Sequence, residues 1–230
     1  YNPEATESFQ EGILIPPVKL FKEGEINQDI VNILSANSRL PNSLYGDLNG
    51  QINALDLGEE RLHSLLDEYT EEKISNALKE LRERAEKMMR QHISALPNET
   101  ISVEDYLDND GVTDNPLTLA IDLTIKDDKM IIDFSRSSNA CAGPVNISKS
   151  TTIAATYVAL KHIFTDVPAN AGVLKPVEFI IPEDSFLNVR APKPVGGYTE
   201  TILRLIDVMF QAFQNSASDK VNGCADGTIN

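Results

Sequence analysis

The spacing of apolar positions changes partway along this chain, from a helical period to an alternating one, and the change divides the elements it predicts. Ile13–Phe21 contains Pro16 and Pro17, which forbid a helix and force an extended segment. Asn27 is placed to cap a helix through Ile30, Val31, Ile33 and Leu34, with Asp29 in its first turn and Arg39-Leu40-Pro41 at its end. From Leu44 to Tyr69 the positions Leu44, Leu48, Ile52, Leu55, Leu62, Leu65, Leu66 and Tyr69 keep helical spacing, weakly interrupted at Gly46, Gly50 and Gly58. Thr70 with Glu71 and Glu72 then opens a second helix, whose apolar stripe runs from Ile74 through Leu81, Ala85 and Met89 to Ile93. Its other face is solvated and carries the favourable i,i+4 pairs Glu83 with Lys87 and Glu86 with Arg90.

Pro97-Asn98 closes the helical stretch, and strand patterns follow. Ile101–Leu107 reads as a strand, Asp108-Asn109-Asp110-Gly111 as an Asp-rich turn, and Leu117–Ile125 with Met130–Phe134 as a hairpin around Asp127-Asp128. The Asp-rich turn resembles part of a calcium loop, but Tyr106 and Leu117 stand where its first and last carboxylates belong. A small-residue helix over Ser148–Phe164, with Ala154, Ala155, Val158, Ala159 and Ile163 on its packing face, precedes a turn at 168–172. Strands at Val177–Ile181 and Phe186–Val189 come next. The predicted class is α+β, a helical N-terminal part followed by a mixed sheet with packed helices; a mixed α/β arrangement is the alternative. The corresponding division is 1–96 and 97–230, as two domains or one continuous one.

The last element, 188–213, passes from a Pro-rich turn and Gly196-Gly197 into a helix whose apolar residues go almost all the way round, the mark of a buried helix. Thr199 is placed to cap it and Glu200 suits its positive first turn. Two glycines ahead of a helix start allow close backbone approach, and the unpaired N–H groups there suit an anion or a carbonyl oxygen. A tight turn feeding a core helix accounts for the same residues.

Composition narrows the function classes. Thirty-five acidic residues against twenty basic ones give a net charge of -15, which repels nucleic acid and anionic membranes. No apolar run approaches the roughly 18 residues of a membrane span and no signal pattern opens the chain, so the expected location is cytoplasmic. Cys141 and Cys224 form no CxxC, and His63, His92 and His162 lie apart, so no metal site is expected from spacing. There is no GxSxG elbow, HExxH, Walker loop or GxGxxG. What remains is a set of small, polar loops: Ser135–Asn146, Asn170–Gly172 and Ala191–Thr199. Glu200 and Asp133 are the candidate catalytic carboxylates, and Gly196, Gly197, Arg190, Ser135, Asn146 and Asn170 the candidate substrate-binding residues. Lys175, Lys193 and Arg204 are further cations near those loops.

Five segments, QEGILIPPVKLFKEGEIN, ANSRLPNSLYGDLNGQINA, the DFSRSS…GPVN loop, VPANAGVLKPVEFIIPEDSFLNVRAPKPVGGYTET and the closing DGTIN, together resemble the hydantoinase B/oxoprolinase family, in this order. The resemblance implies ATP-dependent chemistry on a carbonyl compound: hydrolysis of a cyclic amide of the hydantoin or 5-oxoproline type by a B-type subunit, with ATP handled by an A-type partner subunit or domain. Such a reaction needs donors for a developing oxyanion, for which Gly196-Gly197 and the Asp133–Asn146 loop are the candidates here. The same resemblance leaves open an acetone or acetophenone carboxylase subunit. A non-catalytic scaffold, with the helix Ile74–Ile93 packing on a partner, is the third reading. Members of that family are longer, with His and Asp motifs expected to bind a divalent metal before the first segment. The chain is therefore expected to be an internal piece that lacks its metal and is not competent alone.

Overall fold

A computed structural model describes residues 2–223; Cys224 and the closing DGTIN segment lie outside them. The chain divides into two compact units, one formed by residues 1–12 with 79–230 and the other by residues 13–78, so the division falls inside a helix.

In the smaller unit the Pro16-Pro17 segment is not helical, as its prolines require, and leads to a minimal hairpin of β1 (Phe21–Lys22) and β2 (Glu25–Ile26). Glu23 and Gly24 make its turn at positive φ. Helix α1 (Gln28–Ala36) packs on α2 (Pro41–Glu68). Pro41 occupies the first turn of α2, where its missing N–H costs nothing and its fixed φ suits the helix. The three glycines do not interrupt α2, which runs 28 residues with no buried residue.

Helix α3 (Glu71–Ser94) starts where Thr70 Oγ1 accepts from Lys73 N–H at 3.3 Å. Its later part belongs to the larger unit and buries Ala85, Met89 and Ile93 in the core. The end of its apolar stripe is thus committed to the fold's own interior, whereas Leu78 and Leu81 earlier in the stripe are exposed. Arg90 pairs with Glu86 at 2.8 Å, as its spacing predicts, and with Asp128 at 3.0 Å.

The sheet of the larger unit has the order β3 (Glu99–Leu107), β4 (Leu117–Lys126), β5 (Lys129–Asp133), β6 (Val177–Ile180); its first three strands are antiparallel and β6 is parallel to β5. The parallel pair needs a crossover, supplied by α4 (Lys149–Ile163) and a 3-10 turn at Ala171–Leu174. Leu119, Ile121, Leu123, Met130 and Ile132 are fully buried and form the core with α4 and α5 (Tyr198–Phe213). The architecture is α+β. Phe186–Val189 is not a strand, although Phe186 and Leu187 are fully buried.

The buried face of α4 differs from the expected one. Thr152, Ala155, Thr156, Ala159, Leu160 and Ile163 face inward, whereas Val158 is 42% exposed. Two threonines can be buried because each hydroxyl finds a carbonyl: Thr152 Oγ1 donates to Leu187 O at 2.6 Å and Thr156 Oγ1 to Thr152 O at 2.9 Å.

Candidate functional site

Two of the three loops selected from sequence, one after β5 and the other before α5, meet. Asn146, fully buried, donates through Nδ2 to Cys141 O at 3.3 Å, Gly143 O at 2.8 Å and Pro194 O at 3.2 Å, and accepts from Cys141 N–H at 3.0 Å. Gly197 N–H donates to Pro144 O at 2.9 Å, and Thr201 Oγ1 donates to Val145 O at 2.5 Å. Lys193 Nζ reaches across to Cys141 O at 3.0 Å.

A third strand of chain joins them. Ser8 N–H donates to Pro192 O at 2.7 Å, and the Glu11 carboxylate accepts from Val195 N–H at 3.0 and 2.9 Å and from Gly196 N–H at 2.5 Å. The turn ahead of α5 thus binds an anion, as its glycines and helix start suggest, but the anion is the chain's own carboxylate. This corrects two candidate roles. Gly196 gives its N–H to Glu11 and Gly197 to a backbone carbonyl, so neither is presented to a ligand. Asn146 is corrected as well, because its amide is spent on the loop backbone and no solvent reaches it. The cap is also displaced: Gly197 is the N-cap residue of α5 and Thr199 lies inside the helix.

Asp110, from the Asp-rich turn, is not among the residues that the sequence singles out. It is 1% exposed and accepts five hydrogen bonds: from Val112 N–H, Thr113 N–H and Thr113 Oγ1 on one oxygen, and from Ala142 N–H and Gly143 N–H, both at 3.0 Å, on the other. Burial pushes its acidity toward the neutral form, but the bonds from Thr113, Gly143 and Val112 outweigh it and hold the carboxyl below its ordinary value. A Cβ on Gly143 would stand 1.7 Å from Asp110 O, so glycine is required there for contact. The Asn109-Asp110-Gly111 run is the signal that points to it, since Asx side chains that bond their own turn favour such a sequence. Cys141 beside it is pushed up to about 11, first by burial and then by the charge of Asp110.

A cavity of about 350 Å³ opens beside this node, lined by Tyr106, Asp108, Asp110, Val145, Glu200 and Arg204 among others. Arg204 Nη1 bonds Asp105 Oδ2 at 2.9 Å. Glu200 therefore stands at a cavity, whereas Asp133 does not share it. Asp133 pairs in register with Asp122, whose partner Arg136 also reaches Glu104, on the sheet face opposite Asp105 and α5. The two candidate catalytic carboxylates are thus on opposite faces of the sheet. On Asp133's face, the Arg136 hydrogen bond holds the Asp122 carboxyl below its usual range. Ser135 donates its N–H to Asp133 Oδ1 at 2.8 Å in a local turn.

The other candidates are separate. Arg190 lines a cavity of about 410 Å³ with Ser148, Lys149, Ser150 and Asn188 at the start of α4. Asn170 accepts from Gly172 N–H at 2.8 Å and donates to Leu81 O at 3.2 Å, ahead of the N-terminal end of β6. Because β6 is parallel to β5, that end is opposite the one from which the 133–146 loop leaves. A further cavity, of about 600 Å³, is lined by Arg90, Lys126, Lys129 and Lys175 at the same remote end. Among the described residues, no three His, Cys, Asp or Glu side chains converge as a metal site. His92 pairs with Asp166 at 2.9 Å and stacks on Phe164, a structural role. No helix among the described residues is long and apolar enough to cross a membrane.

Known proteins share this sequence pattern and this fold. The model of the family described as hydantoinase B/oxoprolinase matches residues 1–230. An uncharacterized protein of Methanocaldococcus jannaschii is 31% identical over 97% of this chain and 39% of its own length. The beta subunit of the caprolactamase of Pseudomonas jessenii is 29% identical over 96% of this chain and 38% of its own length. The crystal structure of the ATP-dependent caprolactamase from that organism superimposes with a TM-score of 0.84 at 28% identity, over 96% of this chain and 38% of that one. An acetone carboxylase structure superimposes with a TM-score of 0.87, over 97% of this chain and 32% of that one, but at 15% identity it speaks to the fold alone. The chain spans about two fifths of the length of these curated relatives. Matched from its first residue to its last, it belongs to the hydantoinase B/oxoprolinase family.

Proposed function

We propose that this chain is the loop-bearing core of a B-type subunit that hydrolyses a cyclic amide, with ATP handled by an A-type partner subunit. The observation that carries this reading is the match to caprolactamase in both sequence, at 29% identity, and structure, at a TM-score of 0.84. Two relatives are themselves named as single subunits, one of a caprolactamase and one of a D-/L-hydantoinase, which supports a partner. The local chemistry is compatible with amide opening. Glu200, at the start of α5 and on the wall of the 350 Å³ cavity, is the acid or base of the reading, and Arg204 stands beside it as a cation. The Glu11-bound turn and Asp110 serve to hold that wall still, since a displaced catalytic group loses rate steeply.

The test uses the complete parent protein with its A-type partner and ATP, offered caprolactam, hydantoin or 5-oxoproline. ATP-coupled ring opening that falls at least a hundredfold in kcat with Glu200→Gln, the fold being unchanged, is the expected result. No ring opening with any of the three sinks the hydrolase reading. A product that forms from a ketone only when bicarbonate is present replaces it with the carboxylase one.

A further inference from the structure

Helix α2 carries an apolar series whose start, at Leu48 and Ile52, is half-buried and whose later part, at Leu55, Leu62 and Leu66, its own unit leaves exposed. Ile52, Leu55, Glu59, Leu62 and Leu66 fall at steps of three and four, the a and d positions of a coiled-coil seam. Tyr45 and Leu48 begin the same series one heptad earlier. A seam of this kind is stable when each side chain enters a hole on a facing helix, yet Leu55 is 73% and Leu62 51% exposed. A single polar residue at an a position sets register and partner. Here it is Glu59, 74% exposed and 3.8 Å from His63.

Charge decides what kind of helix fits. Helix α2 holds six acidic residues, Asp47, Asp56, Glu59, Glu60, Asp67 and Glu68, against one arginine, Arg61. A second copy would bring a like-charged helix to the seam, and in parallel register would set Glu59 on Glu59, which is unfavourable. We propose that α2 is a docking helix for an amphipathic helix of a different polypeptide, one with an aliphatic seam and a Lys or Arg opposite Glu59. The identity of that polypeptide as the A-type partner rests on the functional reading above.

The experiment takes the complete B-type protein with p-benzoylphenylalanine in place of Leu62, mixes it with the purified A-type partner, irradiates, and maps the product by mass spectrometry. The expected product joins position 62 to a helix of the A-type partner that carries a basic residue within one turn of the contact. Glu59→Lys is expected to weaken association of the two proteins tenfold or more and Glu59→Gln by less, both keeping the parent's far-ultraviolet dichroism. A product joining two copies of the B-type protein, a product within one copy, or an affinity unchanged in Glu59→Lys overturns the proposal. Ring opening is measured on the same mixture, which separates the two ideas. Coupled turnover with cross-linking elsewhere removes only the docking seam, whereas cross-linking at the basic helix without turnover removes only the hydrolase reading.

Discussion

Glu11 and Val195, 184 positions apart, are joined by two hydrogen bonds of 3.0 and 2.9 Å, and the same carboxylate also takes the N–H of Gly196. The carboxylate sits where the backbone turns into α5, so the positive end of the helix adds to the bonds. Glu11→Ala is therefore expected to lower stability by about 1–2 kcal/mol, the range for a partly exposed charged acceptor. Glu11→Gln, which keeps one acceptor oxygen, should fall between. Urea unfolding gives the stability, and amide exchange at Val195 and Gly196 gives the cause. If Glu11→Ala leaves both midpoint and exchange unchanged, the carboxylate is not what holds the turn.

Asp110 makes the stability of the same node depend on pH. Its carboxyl titrates below the ordinary 3.8 because backbone donors from Thr113, Gly143 and Val112 outweigh burial. A depressed folded value means that the contribution is complete above the unfolded value and is lost as pH falls through the folded one. Asp110→Asn should cost about 2–3 kcal/mol at neutral pH, since an amide offers one acceptor where the structure uses two and points its NH2 at other donors. The difference between parent and variant should shrink below about pH 4. A difference that stays constant from pH 7 to 3 would show that charge has no part in it.

Strongly periodic elements were legible in the sequence: α3, the hairpin of β4 and β5, and the nearly all-apolar α5 each appear where the spacing puts them. The departures have one physical origin. Thr152 and Thr156 count as polar until a carbonyl is found for each hydroxyl, and Asn146 counts as a ligand until the loop backbone claims its amide. Glu11 could not be paired with Val195 from sequence, because only the folded chain brings them together. Composition marked the 133–146 and 191–199 loops as candidates but not their meeting, since it marked Asn170–Gly172 equally and that turn lies ahead of the N-terminal end of β6. The placing of Asp133 and Glu200 on opposite sheet faces was not, since it depends on how β5 and α5 are arranged around the sheet.

Cys141 should behave as an inert thiol. It is 8% exposed, and burial followed by the Asp110 charge pushes its pKa from 9.0 up to about 11. Alkylation proceeds through the thiolate, so in a Cys224→Ser background the rate with iodoacetamide should rise about tenfold per pH unit up to about pH 10 without levelling. Unfolding in urea should raise the rate at neutral pH by at least tenfold. A plateau near pH 9 in the folded protein would mean that the thiol has an ordinary environment.

Gly50 lies in the middle of α2, with nothing within 4 Å of where a Cβ would stand. Glycine in an exposed helix interior costs about 0.5–1 kcal/mol relative to alanine, through the freedom the unfolded chain loses. Gly50→Ala should therefore slow amide exchange along α2 by about two- to fivefold, the equivalent of that energy. The position is off the seam formed by Leu55, Leu62 and Leu66, so partner binding should not weaken. Gly143→Ala is the contrasting case: its Cβ would meet Asp110 O at 1.7 Å and Asp110 C at 2.7 Å, backbone atoms that cannot swing aside as a side chain could. It should destabilise the larger unit by more than about 2 kcal/mol, as overpacking against backbone does. If both variants behave alike in exchange and urea unfolding, local contact does not distinguish the two glycines.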